Sequence, residues 1–245
     1  LRPGRSPPAG PVFPPVPPLS DPRPTVAAMT TTPSPAPARP HVVAHVAVTP
    51  EGVTTGFEPD VGLFYELAGT WQEDVTLAGS GTLLAQEATL ASAPPGPGPA
   101  ADGPLLAVVD GGGRISRWEE LRAAGHWSDV LALHSACTPP RPASRQVREL
   151  VTGSERVDLR AVLETLAGRE GAGVVRVDSG GSLIGALLAA DLLDEVSLLV
   201  HPCLAADRDG QRWYGNARGT GRALELVTNE TLRDGIVWLR HRVRR

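Results

Sequence analysis

The segment Val174-Val175-Arg176-Val177-Asp178-Ser179-Gly180-Gly181-Ser182 constrains this chain most. A short β-branched run ends in a glycine pair, and a helical stripe of Leu183, Ile184, Leu187 and Leu188 follows at once. A strand that turns straight into a helix needs a parallel neighbour, because the helix carries the chain back across the sheet. The same order recurs along the 245 residues. His41–Val48 is a β-branched run closed by Thr49-Pro50-Glu51-Gly52. Asp60 stands where an N-cap belongs for a helix over 60–70 bearing Val61, Phe64, Tyr65 and Ala68. A strand over 75–78 runs into Gly79-Ser80-Gly81-Thr82 and a helical turn. Leu105–Val109 ends at Asp110-Gly111-Gly112-Gly113, and a helix near 117–124 precedes the strand Asp129–His134. The proline-rich stretches 91–104 and 138–142 read as loops. A helix over 158–167 puts Leu159, Val162, Leu163 and Leu166 on one face, and a strand over 195–201 follows the glycine-pair helix. Residues 223–230 and 236–243 alternate about Arg233-Asp234-Gly235, which predicts a hairpin. The expected class is α/β: a mostly parallel central sheet with helices on both faces and a C-terminal antiparallel hairpin.

Composition divides the chain. Residues 1–40 hold 14 of the 25 prolines and four Arg against one Asp. This reads as a disordered, proline-rich tail, leaving 41–245 as one catalytic-sized domain. The single methionine, Met29, reads as the biological start, with 1–28 as upstream translation. The remainder carries 19 Arg against 26 acidic residues, which argues against a nucleic-acid partner. All 23 basic residues are Arg. Without lysine there is no Schiff base and no phosphate loop of the G-x-x-x-x-G-K-[ST] kind. Cys137 and Cys203 lack metal-site spacing and read as small buried hydrophobes, and no metal is expected. No apolar run approaches the ~18 residues of a membrane span, and prolines interrupt the region where a signal peptide needs its apolar stretch. A cytoplasmic protein is expected.

Chemistry concentrates at two glycine turns, each where a strand ends and a helix begins. Open α/β sheets bind ligands there. At Asp178-Ser179-Gly180-Gly181-Ser182 the glycines would let a pyrophosphate approach backbone N–H groups at the positive end of a helix. A tight strand–helix turn without a ligand is the other reading. Gly79-Ser80-Gly81-Thr82 has the same form. Asp178 could anchor a substrate or assist proton transfer, or it could cap the next helix. Glu51, after the first strand, is a second candidate acid. The six histidines show no triad or metal spacing.

Taken together, Arg39-Pro40-His41 to Gly52, residues 77–85, and above all 157–202 resemble the reductase domain of bacterial riboflavin biosynthesis. The most specific stretches are Val-Asp-Leu-Arg-Ala-Val-Leu-Glu-Thr-Leu, Val-Val-Arg-Val-Asp-Ser-Gly-Gly-Ser-Leu-Ile-Gly-Ala-Leu-Leu and Leu-Leu-Asp-Glu-Val-Ser-Leu-Leu-Val-His-Pro. The terminal Asp-Gly-Ile-Val-Trp-Leu-Arg-His-Arg-Val is similar to stand-alone actinobacterial members. The resemblance implies a dihydrofolate-reductase-like fold and NADPH-dependent reduction of the ribosyl C1′ of an aminopyrimidine phosphate. On that pattern Gly180, Gly181, Ser182, Leu183, Ile184, Gly185 and Ala186 would line the NADPH pyrophosphate. Val48, Gly81, Thr82 and Gln86 would also touch the cofactor. Gly111 would lie near the adenosine ribose and Arg114 would take its 2′-phosphate. Asp178 and Glu51 are the implied catalytic acids, with Asp178 also facing substrate. A homodimer is implied. Three departures stand out. The family's Ser-Leu-Asp-Gly is here Thr49-Pro50-Glu51-Gly52, and its Glu-Gly-Gly-Gly is Asp178-Ser179-Gly180-Gly181. Its Ala-Asp-Asp-Pro…Arg segment, which helps hold the substrate phosphate, is Ala85-Gln86-Glu87 followed by an Arg-free loop. The last departure leaves two alternatives: a reductase of another heterocycle or specialised metabolite, and a nucleotide-binding relative without turnover.

Overall fold

The computed structural model describes residues 39–92, 94–140, 147–206, 210–215 and 221–245. The expected tail over 1–38 and the start at Met29 lie outside the described residues. Arg39 and Pro40, read as part of that tail, are packed. Pro40 is buried, and Arg39 grips Asp194 with both terminal nitrogens at 2.7 Å.

The expected strands and helices form in the expected order. The strands are β1 (His41–Val48), β2 (Val75–Gly79), β3 (Leu105–Val109), β4 (Asp129–His134), β5 (Arg148–Val151), β6 (Val174–Val177), β7 (Glu195–Val200), β8 (Leu224–Thr231) and β9 (Val237–Val243). The helices are α1 (Val61–Ala68), α2 (Ser80–Leu84), α3 (Glu87–Ser92), α4 (Trp118–Ala123), α5 (Leu159–Glu170) and α6 (Gly181–Ala189). Asp60 caps α1, its carboxylate accepting from Leu63 N–H at 2.9 Å. Asp158 caps α5, which runs three residues past its expected end and stops where Gly171 turns left-handed at φ 69°.

Two elements escape sequence reading. Strand β5, Arg-Glu-Leu-Val, is mostly exposed at the sheet edge and so lacks the apolar signature of a buried strand. Helix α3 extends into the region read as a proline loop, because its Glu-Ala-Thr-Leu-Ala-Ser forms before the prolines begin. The cysteines also differ from expectation. Cys137 is exposed beyond β4 and Cys203 is half-buried, since both stand in loops rather than on core faces.

Among the described residues nine strands form one sheet in the order β5-β4-β3-β2-β6-β1-β7-β9-β8. Strands β1 to β7 pair in parallel, while β7–β9 and β9–β8 pair antiparallel. The hairpin turn places Asp234 and Gly235 at positive φ, as a tight Asp-Gly connection requires. The expected α/β class, helices on both faces and terminal hairpin are all present. One face carries the main core, where Val42, Ala44, Val175 and Val177 meet Val162, Leu163 and Leu166 of α5 and Ile184 and Leu187 of α6. On the other face Leu83, Trp118 and Leu121 cover Leu106, Val108 and Ala132, while Leu63 of α1 packs on Leu199 and Trp238.

The strand order fixes where a crevice can open. From β1 the chain passes to β2 and moves outward to β5, then returns to lay β6 between β1 and β2. Beyond the carboxyl ends of these strands the connections diverge, and a ligand can enter between them.

Candidate active site

The topology brings the two glycine turns together. The Ser179 hydroxyl accepts from Gly79 N–H at 3.2 Å and shares a hydrogen bond with the Thr82 hydroxyl at 3.3 Å. One turn follows β6 and the other follows β2, so residues about a hundred apart in sequence form one floor. A Cβ on Gly81 would meet nothing within 4 Å, so this turn offers open backbone. Arg114, exposed beyond β3, reaches back to the same turn and donates from Nη2 to Ser80 Oγ at 2.9 Å. Its loop is built by Asp110, whose carboxylate, fully buried, accepts from the N–H groups of Arg114 and Ile115 at 3.0 Å each. Gly111 is exposed in that loop, and its carbonyl accepts from Thr138 Oγ1.

The amino end of α6 is more covered. Residues 210–215 cross it, pinned to the turn after β1: Thr54 N–H donates to Gln211 O, Trp213 N–H to Gly52 O, and Arg212 Nη1 to Glu51 O. A Cβ on Gly181 would lie 2.1 Å from Arg212 O and 2.4 Å from Gly215 N. The chain's own backbone demands that glycine. Gly180 is the N-cap of α6, without a side-chain cap, and has ordinary contact with Gln211. Ser182 and Ala186 are exposed along α6, whereas Leu183, Ile184 and Gly185 are buried. Val48 is buried in the core and its carbonyl accepts from His201 N–H. Gln86 is buried at the junction of α2 and α3. The structure thus brings Gly81, Thr82, Arg114, Asp178 and Gly180 to one end of the sheet, while Val48, Ile184 and Gly185 support it from the core side.

Asp178 does not cap α6. Its Oδ2 instead accepts from Tyr65 Oη at 3.4 Å and from Arg176 Nη1 at 3.3 Å. Arg176 is 5% exposed and donates from Nε to Glu73 Oε1 at 2.7 Å. Burial opposes a charge there, but Asp178 and Glu73 together raise the Arg176 pKa above its ordinary value. Burial and the Asp178 charge push the Tyr65 phenol up, so it remains an O–H donor. Glu51 is exposed at the tip of its turn. A hydrogen bond with the Thr49 side chain is the main cause that lowers its carboxyl pKa.

Beneath α1 runs a second polar chain. Trp238 Nε1 donates to Ser197 Oγ at 2.7 Å, Ser197 lies 2.9 Å from His45 Nδ1, and His45 Nε2 lies 2.9 Å from Phe64 O. Burial, then the nearby Arg176 charge, lowers the His45 pKa to about 3. The ring is therefore neutral: Nε2–H donates to Phe64 O and Nδ1 accepts from Ser197. Its role is to hold α1, and with it Tyr65, against the sheet.

Sequence reasoning missed Arg176, Tyr65 as a polar partner of Asp178, and the 210–215 crossing. Arg176 left a signal, a lone charge inside Val-Val-Arg-Val, since arginine is almost never fully buried unless paired. The crossing left none.

The fold and site find counterparts among known proteins. The RibD C-terminal domain family matches over residues 69–238. The 2,5-diamino-6-ribosylamino-4(3H)-pyrimidinone 5′-phosphate reductase of Archaeoglobus fulgidus is 30% identical over 190 residues, covering 70% of this chain and 84% of that protein. Its namesake from Methanothermobacter thermautotrophicus is 29% identical over 190 residues, covering 71% and 82%. The riboflavin biosynthesis reductase of Saccharomyces cerevisiae shares the fold, with a TM-score of 0.65 over 87% of this chain and 93% of that one at 16% identity. With more than half of its length matched, the chain belongs to the RibD C-terminal domain family.

Proposed function

We propose that this chain is an NADPH-dependent reductase of riboflavin biosynthesis that reduces the ribosyl C1′ of an aminopyrimidine 5′-phosphate to the ribityl form. The observation that carries this reading is the meeting of the two glycine turns beside Asp178 at the carboxyl ends of β2 and β6. Relatives named for that reduction support it.

The donor set fits an anionic dinucleotide. Gly81 and Thr82 offer open backbone and a hydroxyl, Ser182 stands exposed in the first turn of α6, and Arg114 adds a guanidinium for a 2′-phosphate. The bound nicotinamide would supply the hydride for the electrophilic carbon. The protein's work is positioning. The Asp178 carboxylate binds a substrate hydroxyl or amine, and Tyr65 steadies it. Glu51, at the exposed rim, faces the solvent that completes protonation. A cytoplasmic location belongs to this reading, and among the described residues no helix is long and apolar enough to cross a membrane. Exposed Leu224, Leu226 and Val227 on the edge strand β8 support a homodimer.

The test is NADPH oxidation by the purified chain. It is offered 2,5-diamino-6-ribosylamino-4(3H)-pyrimidinone 5′-phosphate and, separately, 5-amino-6-(5-phosphoribosylamino)uracil. Turnover with either supports the reading and identifies the preferred ring. NADPH binding without turnover of either would favour a different heterocycle or a non-catalytic relative. The Arg-free stretch 85–104 is the observation behind that second reading.

A further inference from the structure

We infer that Arg176 is a positioning residue for the reduction, acting from inside the sheet by fixing the substrate-facing carboxylate of Asp178. This rests on the reading of Asp178 as the group that meets substrate.

Arg176 lies on β6, flanked by β1 and β2, with its side chain on the face covered by α1. An arginine in this place needs strong partners, because a buried guanidinium loses its hydration. It has two. Glu73, immediately before β2, takes Nε at 2.7 Å, and Asp178 takes Nη1 at 3.3 Å. The Glu73 side chain is 11% exposed and that of Asp178 is 20% exposed, so the charge chain runs from the interior to the crevice. The planar guanidinium turns this chain into a bracket, because its nitrogens are fixed relative to one another. With Glu73 anchoring one side, the other side sets the height and rotation of the Asp178 carboxylate.

Both described bonds to that carboxylate fall on Oδ2. Oδ2 is thus occupied as an acceptor by Arg176 N–H and Tyr65 O–H, which turns Oδ1 toward the crevice. The bracket therefore orients the Asp178 carboxyl toward a substrate hydroxyl or amine, with Oδ1 as the atom that meets it. The short aspartate side chain suits this arrangement, since it keeps Oδ2 within reach of a guanidinium only two residues back, on β6.

The test is a double-mutant cycle on the full chain, with NADPH and the diaminopyrimidinone phosphate as substrates. Binding of NADPH is followed separately by fluorescence. Asp178→Asn is expected to lower kcat/KM about a hundredfold, and Arg176→Gln about tenfold, with NADPH affinity changed less than about twofold in each. Arg176→Lys should recover part of the loss, since an ammonium can still meet one oxygen. In the Asp178→Asn background, Arg176→Gln should cost less than about twofold more. An undiminished tenfold cost in that background would overturn the proposal while leaving the Asp178 reading intact. So would an Arg176→Gln enzyme with unchanged kcat/KM. Wild-type kcat/KM in Asp178→Asn would instead remove the Asp178 reading and the proposal with it. Arg176→Gln leaves Glu73 buried without its partner. Should that variant fail to fold, Glu73→Gln/Arg176→Gln removes both charges together and enters the same cycle.

Discussion

Gly79 and Ser179 fit one another as a pair: a Cβ on Gly79 would come within 2.9 Å of the Ser179 hydroxyl, which instead accepts the Gly79 N–H. The serine binds the β2 and β6 turns into one floor.

Gly79→Ala is therefore expected to displace Ser179 and destabilise the fold by about 1 kcal/mol, the scale of mild overpacking. Ser179→Gly added to it should restore stability. Thermal unfolding of the two single variants and the double variant checks this. A double variant no more stable than Gly79→Ala would show that the pair is not coupled.

Gly81 and Gly181 should respond in opposite ways. Gly181→Ala forces a Cβ into the backbone of Arg212 and Gly215 and is expected to lower Tm by several degrees while weakening NADPH. Gly81→Ala meets only open space and should leave Tm unchanged. If the cofactor lies along that turn, its affinity for NADPH still falls. Calorimetric unfolding and an NADPH titration on both variants separate these effects.

Arg114 is expected to set cofactor choice. Its removal in Arg114→Ala should weaken NADPH roughly tenfold or more and leave NADH nearly unchanged, because only the former carries the 2′-phosphate. Equal losses for both cofactors would move Arg114 to another part of the site.

Stability should fall with acid through His45. Its folded pKa of about 3 is below the unfolded value of 6.5, so the unfolded chain binds the extra proton first. This contribution is complete above about pH 6.5. It declines as pH falls toward 3, by up to about 1.4 kcal/mol per pH unit. Glu195 adds to the lower part of the window. Burial alone would raise its pKa, but hydrogen bonds and charge from His41 and Arg240 outweigh this and hold it at about 2. Denaturant unfolding between pH 7 and 4 should show a steep slope in the native chain and a flatter one in His45→Gln.

The α/β frame was legible because strand, glycine turn and helix follow one another directly, as they do from Val174 to Leu188. The hairpin was legible from Asp234-Gly235. What escaped is non-local. Nothing near Gly181 in sequence reports that Arg212 and Gly215 press on it. Nothing near Arg176 reports that Glu73 lies opposite. Asp178 could be singled out as a candidate acid, but its choice between capping a helix and facing a ligand depended on Tyr65, which comes from α1, 113 residues earlier in the sequence. Strand β5 escaped for a different reason: an exposed edge strand has no buried face to leave a pattern.

Asp194 receives Arg39 at one end of the described chain and Arg245 at the other. It stands just before β7, at the amino edge of the parallel strands, whereas the crevice opens at their carboxyl edge. Arg39 and Arg245 therefore lie together on one side of the sheet, away from the chemistry. A group attached beside Arg39 or Arg245 would stand clear of the mouth through which substrate and cofactor must pass.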